Sequence, residues 1–242
     1  MKVDRERCIG CRQCFVQCPV RAIFLREGKA DIQQDRCVEC HICAYSGVCP
    51  KNALVIEELP YPRSIRSAFS DVRKPHKSTG VLGRGTEEMK TNDVTARLKL
   101  GHLGISVELG RPGVSASFRD VQVISMKLAP LGVHFEPENP ITSLMEDIHT
   151  GALKKEILNE RALSALVEID IPAERLMDVI HALKEAEPEV DTVFSVSIAS
   201  PVDPDTGKIP FAETLRENHI FFRPNGKTNV GLGRPFKEVE RA

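Results

Sequence analysis

Eight cysteines fall within the first 49 residues of this 242-residue chain, and the remainder has none. They form two runs, Cys8-x2-Cys11-x2-Cys14-x3-Cys18-Pro19 and Cys37-x2-Cys40-x2-Cys43-x5-Cys49-Pro50. So short a segment has little apolar surface to bury, and what its sulfurs bind decides how it folds. Cys-x2-Cys-x2-Cys turns three sulfurs toward one point. A fourth must come from elsewhere, because a loop this tight cannot wrap a tetrahedral guest. Disulfides fit poorly, since Met1 to Arg5 runs straight into charge without the apolar stretch of a secretory leader. Structural zinc favours two Cys-x2-Cys pairs separated by a longer loop, which triple repeats closed by Cys-Pro do not match.

The first spacing is that of bacterial iron–sulfur ligation, and residues 1–59 resemble the bacterial-type 2[4Fe-4S] ferredoxins. In that family the cysteine before proline ligates the other cluster. The resemblance therefore implies two [4Fe-4S] clusters. Cys8, Cys11, Cys14 and Cys49 would hold one, and Cys37, Cys40, Cys43 and Cys18 the other. The second motif departs from the family pattern, with five residues (Ala44 to Val48) before its last cysteine. The resemblance further implies one-electron transfer at low potential, a redox protein as partner, and a reducing, anoxic cytoplasm. The rest of the segment is compatible. Ala22 to Ile32 reads as a hairpin turning at Glu27-Gly28-Lys29, and Asn52 to Glu57 as a closing strand able to pair with Lys2-Val3. Loss of iron should unfold this part. His41, beside Cys40, reads as an exposed loop residue, with tuning of a cluster sulfur as the sharper alternative.

Residues 60–92 carry seven Lys or Arg against three Asp or Glu, among prolines and glycines. They read as a basic, solvated linker between domains at 1–59 and 93–242. The sharper alternative is that Arg63, Arg66, Arg73, Lys74 and Lys77 dock an acidic surface of a partner or of this chain.

From residue 93 the pattern becomes regular. Leu103–Leu109 alternates as a strand, Gly110-Arg111-Pro112-Gly113 is a turn, and Ser117 caps a helix that Gly132 stops. Val133–Glu136 and Ser164–Ile171 read as strands, Pro172-Ala173 opens a second helix, and Val190–Ile198 closes the series. The order β-α-β-β-α-β predicts a ferredoxin-like antiparallel sheet with two helices on one face, so the expected fold class is α+β. An insertion, Pro137 to Leu163, interrupts it and is expected to hold a helix over Ser143–Asn159 facing Leu144, Ile148, Leu153, Ile157 and Leu158 inward. Val107 to Val114, with its Arg-Pro-Gly turn, and the later helix and strand resemble ACT-type regulatory domains, although Gly110 stands where that family usually has Asp. The resemblance implies a ligand turn at Arg111 and Gly113 for a small molecule such as an amino acid, and dimerisation through the domain. The bland reading is a tight turn that its glycines permit. Asn218 to Gly226 reads as a strand and turn, with Phe221-Phe222 in the core.

Other classes find little support. No apolar stretch approaches the 18 residues of a membrane span. Trp is absent and only two Tyr occur, which argues against nucleic-acid stacking platforms. The glycine-rich 80–85 and 231–234 lack the strand–helix context and lysine of a phosphate loop. Seven scattered His and no nucleophile–base ordering leave no catalytic constellation. The expectation is an electron-transfer protein, or the electron-transfer subunit of a larger redox assembly, whose second domain docks or dimerises. The alternative is a redox- or metabolite-sensing regulator.

Overall fold

A computed structural model describes residues 1–75, 80, 98–111 and 113–223. The N-terminal part is built from short antiparallel pairs. β1 (Lys2–Val3) pairs with β4 (Leu54–Val55), and β2 (Ile23–Arg26) forms a hairpin with β3 (Lys29–Ile32) in the register Ile23↔Ile32. A single turn, α1 (Ile42–Tyr45), carries Cys43. Gly10 adopts φ +71°, and a side chain there would collide with the carbonyl of Gly28. Backbone on backbone at this point seats the first cysteine loop on the hairpin. The small core (Val20, Ala22, Ile23, Ala30, Ile32 and Val38) includes several of the cysteines and Leu163 from the second part.

The second part is a four-stranded sheet ordered β12-β5-β11-β7, with every neighbour antiparallel. Its strands are β5 (His102–Leu109), β7 (His134–Phe135), β11 (Ala165–Pro172) and β12 (Phe194–Ala199). A short β6 (Ala116–Ser117) leads into helix α3 (Phe118–Leu128), and α4 (Leu176–Ala186) follows β11. Leu103, Ile105, Val107 and Leu109 alternate onto one face with Ala165, Val167, Ile169 and Ile171, and all are buried. Phe118, Val121, Ile124 and Leu128 of α3, and Leu176, Val179, Ile180 and Leu183 of α4, complete this core at helical spacing. Ser117 and Asp120 close a reciprocal capping box at the start of α3, and Gly132 at φ +67° ends the turn that follows it. The molecule is thus of mixed helix and antiparallel sheet, the α+β class.

Three expectations fail. The helix over 143–159 is absent. β8 (Met145–Asp147) and β9 (Ala152–Leu153) form a small hairpin there, and β10 (Arg161–Ala162) pairs with β6. Asp147 accepts the His149 N–H at 2.9 Å, and its carbonyl accepts the Gly151 N–H. That local capture competes with helix, and Gly151 at φ +72° turns the chain. Leu153 and Ile157 are still buried, while Ile148 is exposed.

The stretch expected as a solvated linker holds a helix, α2 (Ser64–Ser70), with Ile65, Arg66, Ser67, Phe69 and Ser70 buried. Ile65 and Phe69, four residues apart, enter the core of the second part, where Phe69 meets Phe118 edge-on at 5.3 Å. At the C-terminal side a helix, α5 (Pro210–Glu217), was not anticipated, 218–223 forms no strand, and Phe221 is 87% exposed. Lys77, residues 81–85, Pro112 and 231–234 lie outside the described residues. Among the described residues no helix is long and apolar enough to cross a membrane.

Candidate metal centre

All eight cysteines are free thiols, which removes the disulfide alternative. They surround two clefts. Cys8, Cys11, Cys14 and Cys49 line one, together with Val3, Ala30, Ala53 and Leu54. Cys18, Cys37, Cys40 and Cys43 line the other, with Met1, Ile23, Ile32 and Val38. Each cleft takes three cysteines from one loop and the fourth from the other run.

The same grouping is felt electrostatically. Burial pushes the Cys14 thiol up, and Cys11, Cys49 and Cys8 add to it. Burial likewise pushes Cys43 up to about 12, with Cys40, Cys18 and Cys37 contributing. Cys37 is pushed up to about 11, by burial and then by Glu39, and burial raises Cys40 too. Thiols this reluctant to ionise in each other's company need a strongly cationic guest to become thiolates.

The residues fit a polynuclear group, since each cleft gathers four cysteines, the number a [4Fe-4S] cube takes. Backbone amides already point at the sulfurs: Ala30 N–H donates to Cys8 Sγ at 3.3 Å, Ala53 to Cys49 at 3.2 Å and Ala22 to Cys18 at 3.1 Å. Such donors stabilise charge on sulfur.

His41 is not exposed as expected: it is 2% accessible, at φ +57°, ahead of α1. Its Nδ1 lies 2.7 Å from Asp71 Oδ2, and its Nε2 3.7 Å from Glu39 Oε2. Tyr45 donates its hydroxyl to the same Asp71 oxygen at 2.8 Å, and Arg73 stacks over the Tyr45 ring at 3.8 Å. Burial and the Asp71 acceptor push the Tyr45 hydroxyl up to about 12. Glu39 also meets the Met1 ammonium and Arg63. Burial opposes its ionisation, yet the neighbouring His41 and hydrogen bonds from the ammonium and Arg63 hold it down to about 2. This buried charge web beside Cys37 and Cys40 was not foreseen. The one cue was a glutamate set between two cysteines of a tight loop.

Arg66 ties the second cleft to the rest of the molecule. Its guanidinium donates to the carbonyl oxygens of Gln34 and Cys37, at 3.0 and 2.7 Å, and pairs with Glu160 of the second part. Ser70 Oγ accepts the Leu163 N–H at 2.9 Å. Of the basic residues 63–77 considered for docking, Arg63 and Arg66 thus reach carboxylates of this same chain. The turn at Arg111 and Gly113 stays at the surface, with Gly113 exposed. A side chain on Gly113 would stand 3.6 Å from the Pro19 carbonyl, and Arg111 Nη1 reaches Glu108 at 3.2 Å. The first donors of α3 are occupied, Phe118 N–H by Glu160 O and Asp120 N–H by Ser117 Oγ.

Comparison with known proteins adds a family. The 4Fe-4S binding domain matches residues 1–24, which span the first cysteine run. One subunit of an ion-translocating oxidoreductase complex, from Methanosarcina acetivorans, is 40% identical over 47 residues, 19% of this chain and 17% of that protein. An archaeal glutamate synthase [NADPH] from Archaeoglobus fulgidus is 32% identical over 108 residues, 41% of this chain and 20% of that protein. The chain therefore spans a fifth or less of the length of these two relatives. An uncharacterized ferredoxin of Methanocaldococcus jannaschii is 39% identical over 57 residues, 23% of this chain but 74% of the ferredoxin. No solved structure matches. With most of a ferredoxin's length aligned to it, and the 4Fe-4S binding domain matched across its first cysteine run, this chain belongs through its N-terminal part to the 4Fe-4S ferredoxins.

Proposed function

We propose that the protein is a two-cluster electron-transfer protein, or the electron-transfer subunit of a larger oxidoreductase, and that it works in a reducing cytoplasm. One [4Fe-4S] cluster is held by Cys8, Cys11, Cys14 and Cys49, the second by Cys37, Cys40, Cys43 and Cys18. The observation that carries this reading is the exchange of the fourth cysteine between the two clefts. When bound, each cluster takes up and gives back one electron at a time. The chain's own residues do the rest. Cysteines fix the two centres, amides of Ala22, Ala30 and Ala53 support charge on sulfur, and aliphatic walls keep water out.

The second domain is read as a ferredoxin-like βαββαβ unit, which the strand order β12-β5-β11-β7 supports. It docks the relay and offers β12, an edge strand, to a second copy or a neighbouring subunit. Membership in a redox assembly draws support from the relative named as a subunit of an ion-translocating oxidoreductase complex. The regulator alternative has less to stand on, since the Phe118 and Asp120 donors at the start of α3 are already satisfied.

The test is dithionite reduction of anaerobically purified protein followed by electron paramagnetic resonance. Two [4Fe-4S] centres should give about two spins per chain, bleached visible absorbance, and recovery on reoxidation. A protein that takes up no electrons would overturn the proposal.

A further inference from the structure

The two clefts are differently placed with respect to solvent. At the first, Cys11 and Arg12 are exposed, and Ile9 in its lining stands out at 60% exposure. At the second, Cys37, Cys40 and Cys43 are buried, as are Glu39 and His41 beside them. The second part closes over that side. Arg66 grips the Cys37 carbonyl, Leu163 enters the small core, and Gly113 abuts Pro19 next to Cys18. Electron tunnelling weakens exponentially with distance, so a partner protein must reach a centre closely. Among the described residues, the first has the more exposed cysteines.

Charge separates the two as well. Arg12 and Lys51 line the first cleft, both are exposed, and neither forms an ion pair among the described residues. Nearby carboxylates are engaged, Asp4 by Arg7 at 3.1 Å and Glu27 by Arg5 at 2.8 Å, with Glu6 the exposed exception. At the second cleft Glu39 is answered by the Met1 ammonium and Arg63, and Asp71 bonds to His41 and Tyr45.

We propose that the Cys8–Cys14 loop is the port through which electrons enter or leave the molecule, and that the redox protein docking there presents an apolar spot ringed by carboxylates. This rests on the two-cluster reading above. Ile9 supplies the apolar contact, and Arg12 and Lys51 the ion pairs. These two cations stand at the rim of a site whose thiolates are themselves negative, so they decide whether an acidic partner can approach.

The test uses the reduced, iron-loaded full chain and two one-electron oxidants. Cobalt(III)–EDTA is an anion and hexaamminecobalt(III) a trication. Each Co(III) takes one electron and becomes Co(II). The double variant R12E/K51E should slow the anion relative to the trication by about tenfold or more. R21E/R36E, the same charge change at exposed positions away from this rim, should move that ratio far less. Added salt should shrink the difference. Ile9→Glu, at an exposed position in the lining of this cleft, should shift the ratio in the same direction and covers the case in which the double variant loads poorly. The port is overturned if R21E/R36E moves the ratio as much as R12E/K51E, or if Ile9→Glu leaves it unchanged. Wild-type protein that takes up no iron, or does not bleach with dithionite, counts instead against the two-cluster reading.

Discussion

Single residues hold this molecule in places where substitution has no cheap substitute. Gly10 has a left-handed backbone and touches the Gly28 carbonyl where a side chain would begin. Gly10→Ala should cost at least about 1 kcal/mol through backbone strain alone. Pushing the first cysteine loop off the hairpin should also lower iron content, read by metal analysis; unchanged iron and melting would contradict the contact. Arg66 is 4% exposed and serves carbonyls of the second cysteine loop together with Glu160. Arg66→Ala leaves Glu160 without its cation, and breaking such a buried pair typically costs about 3–5 kcal/mol. Denaturant unfolding checks this, and a shift below about 1 kcal/mol would remove Arg66 from its bridging role. Cys18 belongs by sequence to the first run and by position to the second cleft. Cys18→Ala should roughly halve the iron, from about eight to about four per chain, and spare the centre at Cys8, Cys11, Cys14 and Cys49. Selective loss of that centre would contradict the exchange.

At the scale of elements, α2 carries the fold's least expected work. Phe69 meets Phe118 across the boundary between the two parts, and Phe69→Ala should cost about 3–5 kcal/mol. A thermal melt unchanged by that substitution would make α2 an ornament. Periodicity made much of the rest legible. The β2–β3 hairpin, the β1–β4 pair, β5, α3 with its Ser117 cap, β11 and α4 follow from alternation, helical spacing and turn residues. Where that logic broke, local polar groups or distant packing had won. In 143–159 the apolar residues do have helical spacing, but Asp147 and Gly151 close a turn within it. In 64–70 the surrounding prolines and basic residues suggested a connector, yet Ile65 and Phe69 find a core that only the folded second part supplies. The cysteine loops were legible because their spacing is that of a known iron–sulfur family, and the resemblance carried the family's ligand pattern onto them. The Glu39–His41–Asp71 web was not, because its members come from residues 30 apart and meet only through α2.

On the scale of the whole molecule the two parts are not beads on a string. Leu163 enters the small core, Ile65 and Phe69 enter the large one, and Arg66 joins both. Stability of the cysteine-rich part should therefore depend on metal and be felt by its neighbour. Removing iron with an anaerobic chelator should unfold residues 1–59 and lower the melting temperature of what remains, followed by circular dichroism. An unchanged spectrum and melt after complete iron loss would show that the thiols are packed without needing a guest. The central claim, that eight cysteines house two exchanged [4Fe-4S] centres, is tested most directly by iron and acid-labile sulfide per chain in anaerobically purified protein. The account predicts about eight of each. About four of each would leave one centre, and one or two zinc ions with no sulfide would contradict the account outright.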